Sequence, residues 1–260
     1  MLKTVILISL ASSLLACHPN SARFDENETI GSTSICADSY LIALAPDRVG
    51  ALSWQAGSRL STADETHASL PRLWPNPEIL AQTDMPLIIG PGDSSFERPD
   101  RLVLTWGEDF ETVSTNVAAI AKHFGLDTSR FNADIASLRT LDRPDMPVRI
   151  LYLSRSGGSA GPGTFVDAVI TAAGGVNAND TPGWHTPAVE RTLQFDPDLI
   201  VTSFFGSDYA GVSDRAVRHS ALQRYLAERP RIDIPGKLWP CAGPGLIKAT
   251  RQLNAAILAL

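Results

Sequence analysis

The segment GGSAG, residues 157 to 161, matches G-x-S-x-G, the spacing that sets a nucleophilic serine on a tight strand-to-helix elbow. Ester hydrolysis there would need Ser159 as nucleophile, a histidine as base and an acid to orient it. The neighbouring residues argue against that chemistry. An elbow leads straight into its helix, whereas Pro162 and Gly163 follow the motif and a helix starts only at Thr164. His185 lies in a proline-rich loop, and His219 has only Asp214 close by as an orienting acid. A serine esterase therefore stands as the alternative reading; no catalytic residue is expected.

The five histidines, His18, His67, His123, His185 and His219, show no paired ligand spacing. A metal held by the protein's own side chains needs several converging donors, so no metal site and no cofactor are expected. A metal would arrive inside a chelate, and an anionic chelate could meet Arg59 or Arg155, which otherwise read as surface charges. A large planar ligand asks for flat apolar walls. Five tryptophans are available: Trp54, Trp74, Trp106, Trp184 and Trp239. The ordinary role of a tryptophan is core packing. Trp184 differs because its loop, DTPGWHTPAVE, has no periodic apolar face. Trp54 follows the apolar run VGAL, at a strand end, where open α/β sheets bind ligands. Trp54, Trp184 and Trp106 are the ligand-binding candidates of this set.

Two glutamates complete the chemistry. PAVERTLQFDPDLIV, residues 187 to 201, has a blurred copy, PNPEILAQTDMPLII, at 75 to 89. A shift of 112 residues superposes Pro75 on Pro187, Glu78 on Glu190, Gln82 on Gln194, Asp84 on Asp196 and Leu87 on Leu199. Two similar lobes, each presenting one glutamate to the same partner, would produce such an echo. A carboxylate pairs with guanidinium in a charge-assisted, often bidentate bond, so two separated points fix orientation as well as proximity.

These residues need elements to hold them. The segment around ICADSYLIALAP reads as a strand end and then a helix from about Asp38, with DRVGALSW as the next strand. The echo adds a helical turn and another strand, and such alternation predicts an α/β lobe with parallel strands. Val113, Val117, Ile120 and Phe124 mark one helix, stopped by Gly125; Phe131, Ile135 and Leu138 mark another, with Asp127 as its N-cap. One of the two should join the lobes. MPVRILYLS opens the second lobe as a strand. Thr164 and Asp167 resemble a capping box at the start of the helix TFVDAVITAAGG. KLWPCAGPG and the run from there to Leu260 read as strand, turn and terminal helix.

The chain starts with an address. MLKTVILISLASSLLAC carries one cation, Lys3, then an apolar run from Val5 to Leu15, too short for a membrane span of about 20 residues. Residues 1–16 read as an export signal, and LLAC resembles a lipobox, which would make Cys17 the lipidated residue. Residues 17–29 are a polar tether, 30–110 the N-terminal lobe, 111–146 the helical connection and 147–260 the C-terminal lobe. With 44% hydrophobic residues, a chain of 260 can bury the cores of two lobes. The balance of 22 basic to 28 acidic residues, without a basic stripe, sets nucleic acid aside as a partner. Removing residues 1–16 takes only Lys3 and shifts the net charge from −6 to −7.

In their order, ICADSYLIALAPDRVGALSW, PEILAQ, GPGTFVDAVITAAGGVNAN and VERTLQFDPDLIV resemble the substrate-binding proteins of ABC importers for cobalamin, ferric siderophores and haem. The resemblance covers nearly all of residues 31 to 260. A subgroup of that family also carries a CAD motif and an LWxCxGP motif, matched here by Cys36 and Cys241. It implies two Rossmann-like α/β lobes joined by a helix, with the ligand in the cleft between them and little hinge motion. It further implies that Glu78 and Glu190 dock on arginines of a permease dimer, and that Trp184 matches a cleft aromatic of the cobalamin-binding relatives. The expected protein is a monomeric periplasmic lipoprotein that hands over a chelate, corrinoid first, siderophore or haem second. It touches the membrane through its lipid anchor. A non-transport sensor or scaffold of the same fold is a further alternative.

Two readings stand for Cys36 and Cys241. In an oxidising compartment they could close one disulfide. Alternatively, as ligand-binding candidates flanking strand ends at the cleft, they could remain thiols that touch the ligand or its metal, because a bond requires Cα atoms within about 7 Å.

Overall fold

In a computed structural model of the chain, residues 28–92, 99–203 and 218–260 are described; the candidates Cys17 and His18, the export signal and Asp214 lie outside them. Short apolar runs at 30, 49, 72, 87 and 101 become five parallel strands: β1 (Ile30–Ser32), β2 (Val49–Ser53), β3 (Arg72–Leu73), β4 (Leu87–Ile89) and β5 (Arg101–Val103). Their spatial order is β3-β2-β1-β4-β5. Leu87, Ile88 and Ile89 are fully buried, as expected of a parallel strand covered on both faces. Between the strands run α1 (Ile35–Leu44) and α2 (Pro77–Ala81). Helix α1 begins three residues before the expected Asp38, because the Ser34 hydroxyl accepts a hydrogen bond from the Ala37 N–H and caps the helix there.

The second sheet repeats the plan. β6 (Val148–Ser154), β8 (Gly175–Asn177), β10 (Leu199–Ser203) and β11 (Arg231–Asp233) are parallel, in the order β11-β10-β6-β8. A two-stranded antiparallel ribbon, β7 (Ser159–Ala160) with β9 (Trp184–His185), follows β6. Its helices are α5 (Phe165–Ala172), α6 (Val189–Gln194) and α7 (Ser220–Ala227). Thr164 caps α5 by accepting from the Asp167 N–H, but the expected capping box is only half formed, because the Asp167 carboxylate accepts from the Asn177 amide instead. The shift of 112 residues carries α2 onto the start of α6 and β4 onto Leu199, Ile200 and Val201, so the echo marks one helix–strand unit in each lobe.

Helix α3 (Phe110–Phe124) buries Val113, Val117, Ile120 and Phe124 against the core and stops at Gly125 in the left-handed conformation, φ 67°. The crossing to the second lobe is made by α4 (Ser129–Ser137), continued by a 3-10 turn to Thr140. Asp127 does not cap α4. It accepts from the Ser129 N–H and hydroxyl in a local turn, which leaves Thr128 as the cap residue.

Helix α8 (Gly245–Leu258) closes the chain. Its Arg251 donates to Asp134 and Ser137 of α4 at 2.7 and 2.8 Å, and its Asn254 donates to the carbonyls of Asp142 and Ala173. The strand expected at KLWP is a 3-10 turn, Gly236–Leu238. The Leu238 and Trp239 N–H groups are spent on the Pro235 and Gly236 carbonyls, and Pro240 has none to offer a ladder.

One buried carboxylate fixes the geometry of the first lobe. Asp38 has no exposed surface and accepts from the Ser32 hydroxyl at the end of β1 and from the Ser53 N–H and hydroxyl at the end of β2. Burial pushes its carboxyl above the ordinary value of 3.8, against the opposing pull of those hydrogen bonds and of the Arg72 charge. The folded state therefore holds the proton to a higher pH than the unfolded chain does. This residue's contribution to stability is full below the unfolded value and is lost as pH rises through the folded one. Asp38→Asn, which cannot titrate and replaces an acceptor by a donor facing Ser53, should cost about 2 kcal/mol in acid. Urea unfolding at several pH values checks the sign: the gap to wild type should narrow as pH rises.

Candidate functional site

Parallel strands deliver their C-terminal ends to a single edge, and in the first lobe three tryptophans sit there. Trp54 follows β2, Trp74 follows β3 and Trp106 lies just beyond β5. They are 46%, 55% and 64% exposed, unlike Trp239, which is 5% exposed. Trp54 and Trp74 stack, with centroids 5.2 Å apart and planes 10° from parallel. Trp106 stands beside Gly92, where a Cβ would come 3.4 Å from the indole nitrogen. Trp74 was the partner not singled out from the sequence. Its signal was available: it is bracketed by Pro71 and Pro75, the same kind of setting that marked Trp184.

The second lobe carries its aromatics on the ribbon after β6. Trp184 is 54% exposed and meets Tyr152 edge-on at 6.1 Å and Phe165 at 5.1 Å. Tyr152 in turn meets Trp239 at 5.5 Å, and the Trp239 indole donates to the Ser203 hydroxyl at 3.1 Å. Burial pushes the Tyr152 hydroxyl up to about 12, with a hydrogen bond to Ser203 working the other way, so this ring stays neutral. Exposed Trp184 thus rests on a cluster of edge-on and tilted aromatic rings. Phe165 and Tyr152 are additions that periodicity could not supply, because one opens a helix and the other is buried in a strand.

Ser159 is not on an elbow. It lies in β7 opposite His185, is 1% exposed, donates its hydroxyl to the Tyr152 carbonyl at 2.9 Å and accepts from Asn179 at 3.1 Å. His185 Nε2 is 3.4 Å from the same Asn179 amide. The hydroxyl braces the ribbon, and the esterase reading fails on that geometry. His67 pairs with Asp64, and His219 caps α7. Among the described residues no three His, Cys, Asp or Glu side chains converge as a metal-binding group. Of the two arginines considered for an anionic ligand, Arg155 lies in the turn after β6, and Arg59 is exposed beyond the 3-10 turn Trp54–Gly57.

Cys36, in the first turn of α1, and Cys241, in the turn before α8, form a disulfide with Cα atoms 5.9 Å apart. Neither is a free thiol available to a ligand or metal. The Cα separation lies within the limit of about 7 Å that a disulfide requires. Beside it the Tyr40 hydroxyl donates to the Ala242 carbonyl at 3.1 Å.

Glu78 and Glu190 are both exposed, and each is the second residue of its short helix, α2 or α6. The two lobes therefore display them at equivalent points of the repeated unit.

No protein-family model matches the chain, and no curated protein matches it in sequence. Solved structures do match. The periplasmic haem-binding protein HutB of Vibrio cholerae is 17% identical over 88% of this chain and 98% of its own, with a TM-score of 0.65. The periplasmic vitamin B12-binding protein BtuF of Vibrio cholerae is 16% identical over 89% and 97%, with a TM-score of 0.62. An ABC transporter substrate-binding protein of Listeria monocytogenes is 12% identical over 90% and 100%, with a TM-score of 0.65. At these identities the likeness is one of fold: an α/β chain of two lobes, as expected from the sequence.

The disulfide closes a separation of 205 residues. In the chain-entropy account, replacing both cysteines by serine should lower the unfolding free energy by roughly 4 to 5 kcal/mol, read from urea midpoints. The thiols of Cys36 and Cys241 should become titratable in denatured protein only after reduction.

Proposed function

We infer that this chain is a periplasmic solute-binding protein that delivers a planar metal chelate to an ABC importer without altering it. The observation that carries the reading is the set of half-exposed tryptophans, three beyond the strand ends of the first lobe and Trp184 on the ribbon of the second, on a fold shared with haem- and vitamin B12-binding periplasmic proteins. Indole faces bind flat macrocycles through dispersion and apolar burial, with no need for a charged partner. A corrinoid is the first candidate and a ferric siderophore or haem the second. Trp54 with Trp74, Trp106 and Trp184 are the proposed walls, and the disulfide-bonded Cys36 and Cys241 brace the floor. The export signal would direct the chain across the membrane, and lipidation at Cys17 would then hold the protein at the membrane face.

The repeated unit supports a docking role for Glu78 and Glu190. Two carboxylates at equivalent points of two lobes suit a partner that is itself a dimer offering two arginines. They take no part in the aromatic set, so docking and ligand binding are separable.

Two measurements test these roles. Trp184→Ala should weaken binding of cyanocobalamin or haemin by about 1 kcal/mol or more, since an aromatic contact is lost, and absorbance titration reads it. Unchanged affinity for every chelate tried would remove Trp184 from the site. Reversing both charges, Glu78→Lys with Glu190→Lys, should abolish import in cells while the purified variant keeps its affinity.

A further inference from the structure

We propose that residues 239–244 form a latch that holds the two lobes at one aperture, with the Cys36–Cys241 disulfide as its covalent bolt. The effect on ligand retention rests on the binding reading above; the mechanical claim does not.

The segment is fastened on both sides. Toward the second lobe, Trp239 is buried, meets Tyr152 of β6 and donates to Ser203 at the end of β10. Toward the first lobe, Cys241 is bonded to Cys36, and the Ala242 carbonyl accepts from Tyr40 of α1. Asn116 of α3 supports this contact: its amide donates to the Tyr40 hydroxyl at 3.3 Å and to the Thr105 carbonyl at 2.9 Å, while its oxygen accepts from the Thr105 N–H. The fit is close enough that a Cβ on Gly107 would lie 2.5 Å from the Ala242 Cβ. Within three residues, Trp239 to Ala242, the chain passes from the packing of one lobe to that of the other.

The other chain crossing is short, although the lobes also share one buried apolar cluster, which includes Ile30 and Tyr40 of the first and Tyr152 and Leu199 of the second. Helix α4 has nine residues, which at 1.5 Å per residue spans only about 14 Å. The ion pair from Arg251 to Asp134 that braces it is between side chains 44% and 40% exposed, and pairs of that kind contribute little. The latch adds a second crossing at the strand-end edge, which turns a hinge about one axis into a frame held at two points.

The test compares wild type with Cys36→Ser/Cys241→Ser. Donor and acceptor dyes are attached through ketone-bearing amino acids at Gln82 and Gln194, exposed and equivalent positions of the two lobes. Single-molecule energy transfer should give one narrow distance distribution for wild type and a broadened or two-peaked one for the variant. If the serine pair does not fold, folded wild-type protein treated with excess dithiothreitol, with both thiols then confirmed by titration, replaces it. Identical distributions before and after loss of the bond would overturn the proposal and leave the disulfide a staple against unfolding only. With cyanocobalamin and haemin as probes, whichever binds wild type should bind the unbolted protein about tenfold more weakly if the competent aperture falls to a tenth of the population. Should neither probe bind wild type, the chelate reading falls, and the latch is judged on the distances alone.

Discussion

Every strand of the two main sheets is parallel to its neighbours, and this constraint organises the molecule. A parallel strand must be followed by a crossover, so each chain segment leaves the sheet at the same edge. Backbone groups there are no longer spent on the ladder, and side chains can face outward without disturbing the core. Trp54, Trp74 and Trp106 come from positions spread over 53 residues of sequence, yet all three follow strand ends of one sheet. Their partial exposure is a consequence of that edge rather than of poor packing.

The edge would be loose without internal anchors. Asp38 supplies one by drawing the ends of β1 and β2 onto α1 through three donors. Taking a carboxylate out of water is costly, and this set of donors offsets only part of that cost, which is why its carboxyl stays above the ordinary value. Its neighbours on the same helix then do the linking: Cys36 and Tyr40 both reach the segment that comes from the far end of the chain. Helix α1 is therefore tied to its own sheet on one side and to the C-terminal segment on the other. Two residues apart in the first turns of α1, Cys36 supplies the covalent tie and Asp38 the internal one.

The repeated helix–strand unit shows a different economy. Glu78 and Glu190 occupy the second position of helices too short to bury much surface, where a carboxylate is favoured by the free N–H groups and the helix dipole. Local chemistry alone would tolerate them. Their recurrence at a shift of 112 residues, with the buried Leu80 and Leu87 of one unit answered by Thr192 and Leu199 of the other, ties them to the architecture of each lobe.

Sequence alone determined the α/β class, the helices α3 and α5, the strands β2, β6 and β10, and the equivalence of the two glutamates, because periodicity, caps and an internal echo are properties of neighbouring residues. It also singled out Trp54, at a strand end, and Trp184, in a loop without a periodic apolar face, against the ordinary core role. It misjudged KLWP, where an apolar run has no strand beside it to pair with and folds back into a 3-10 turn. It left open the pairing of Cys36 with Cys241, the stacking of Trp74 on Trp54 and the burial of Ser159. Those three depend on which segments meet after 205, 20 and about 26 residues of intervening or returning chain. Local composition carries no record of such meetings; only the packed structure decides them, because contact between distant segments is fixed by the sheet order and by the closure of the core around it.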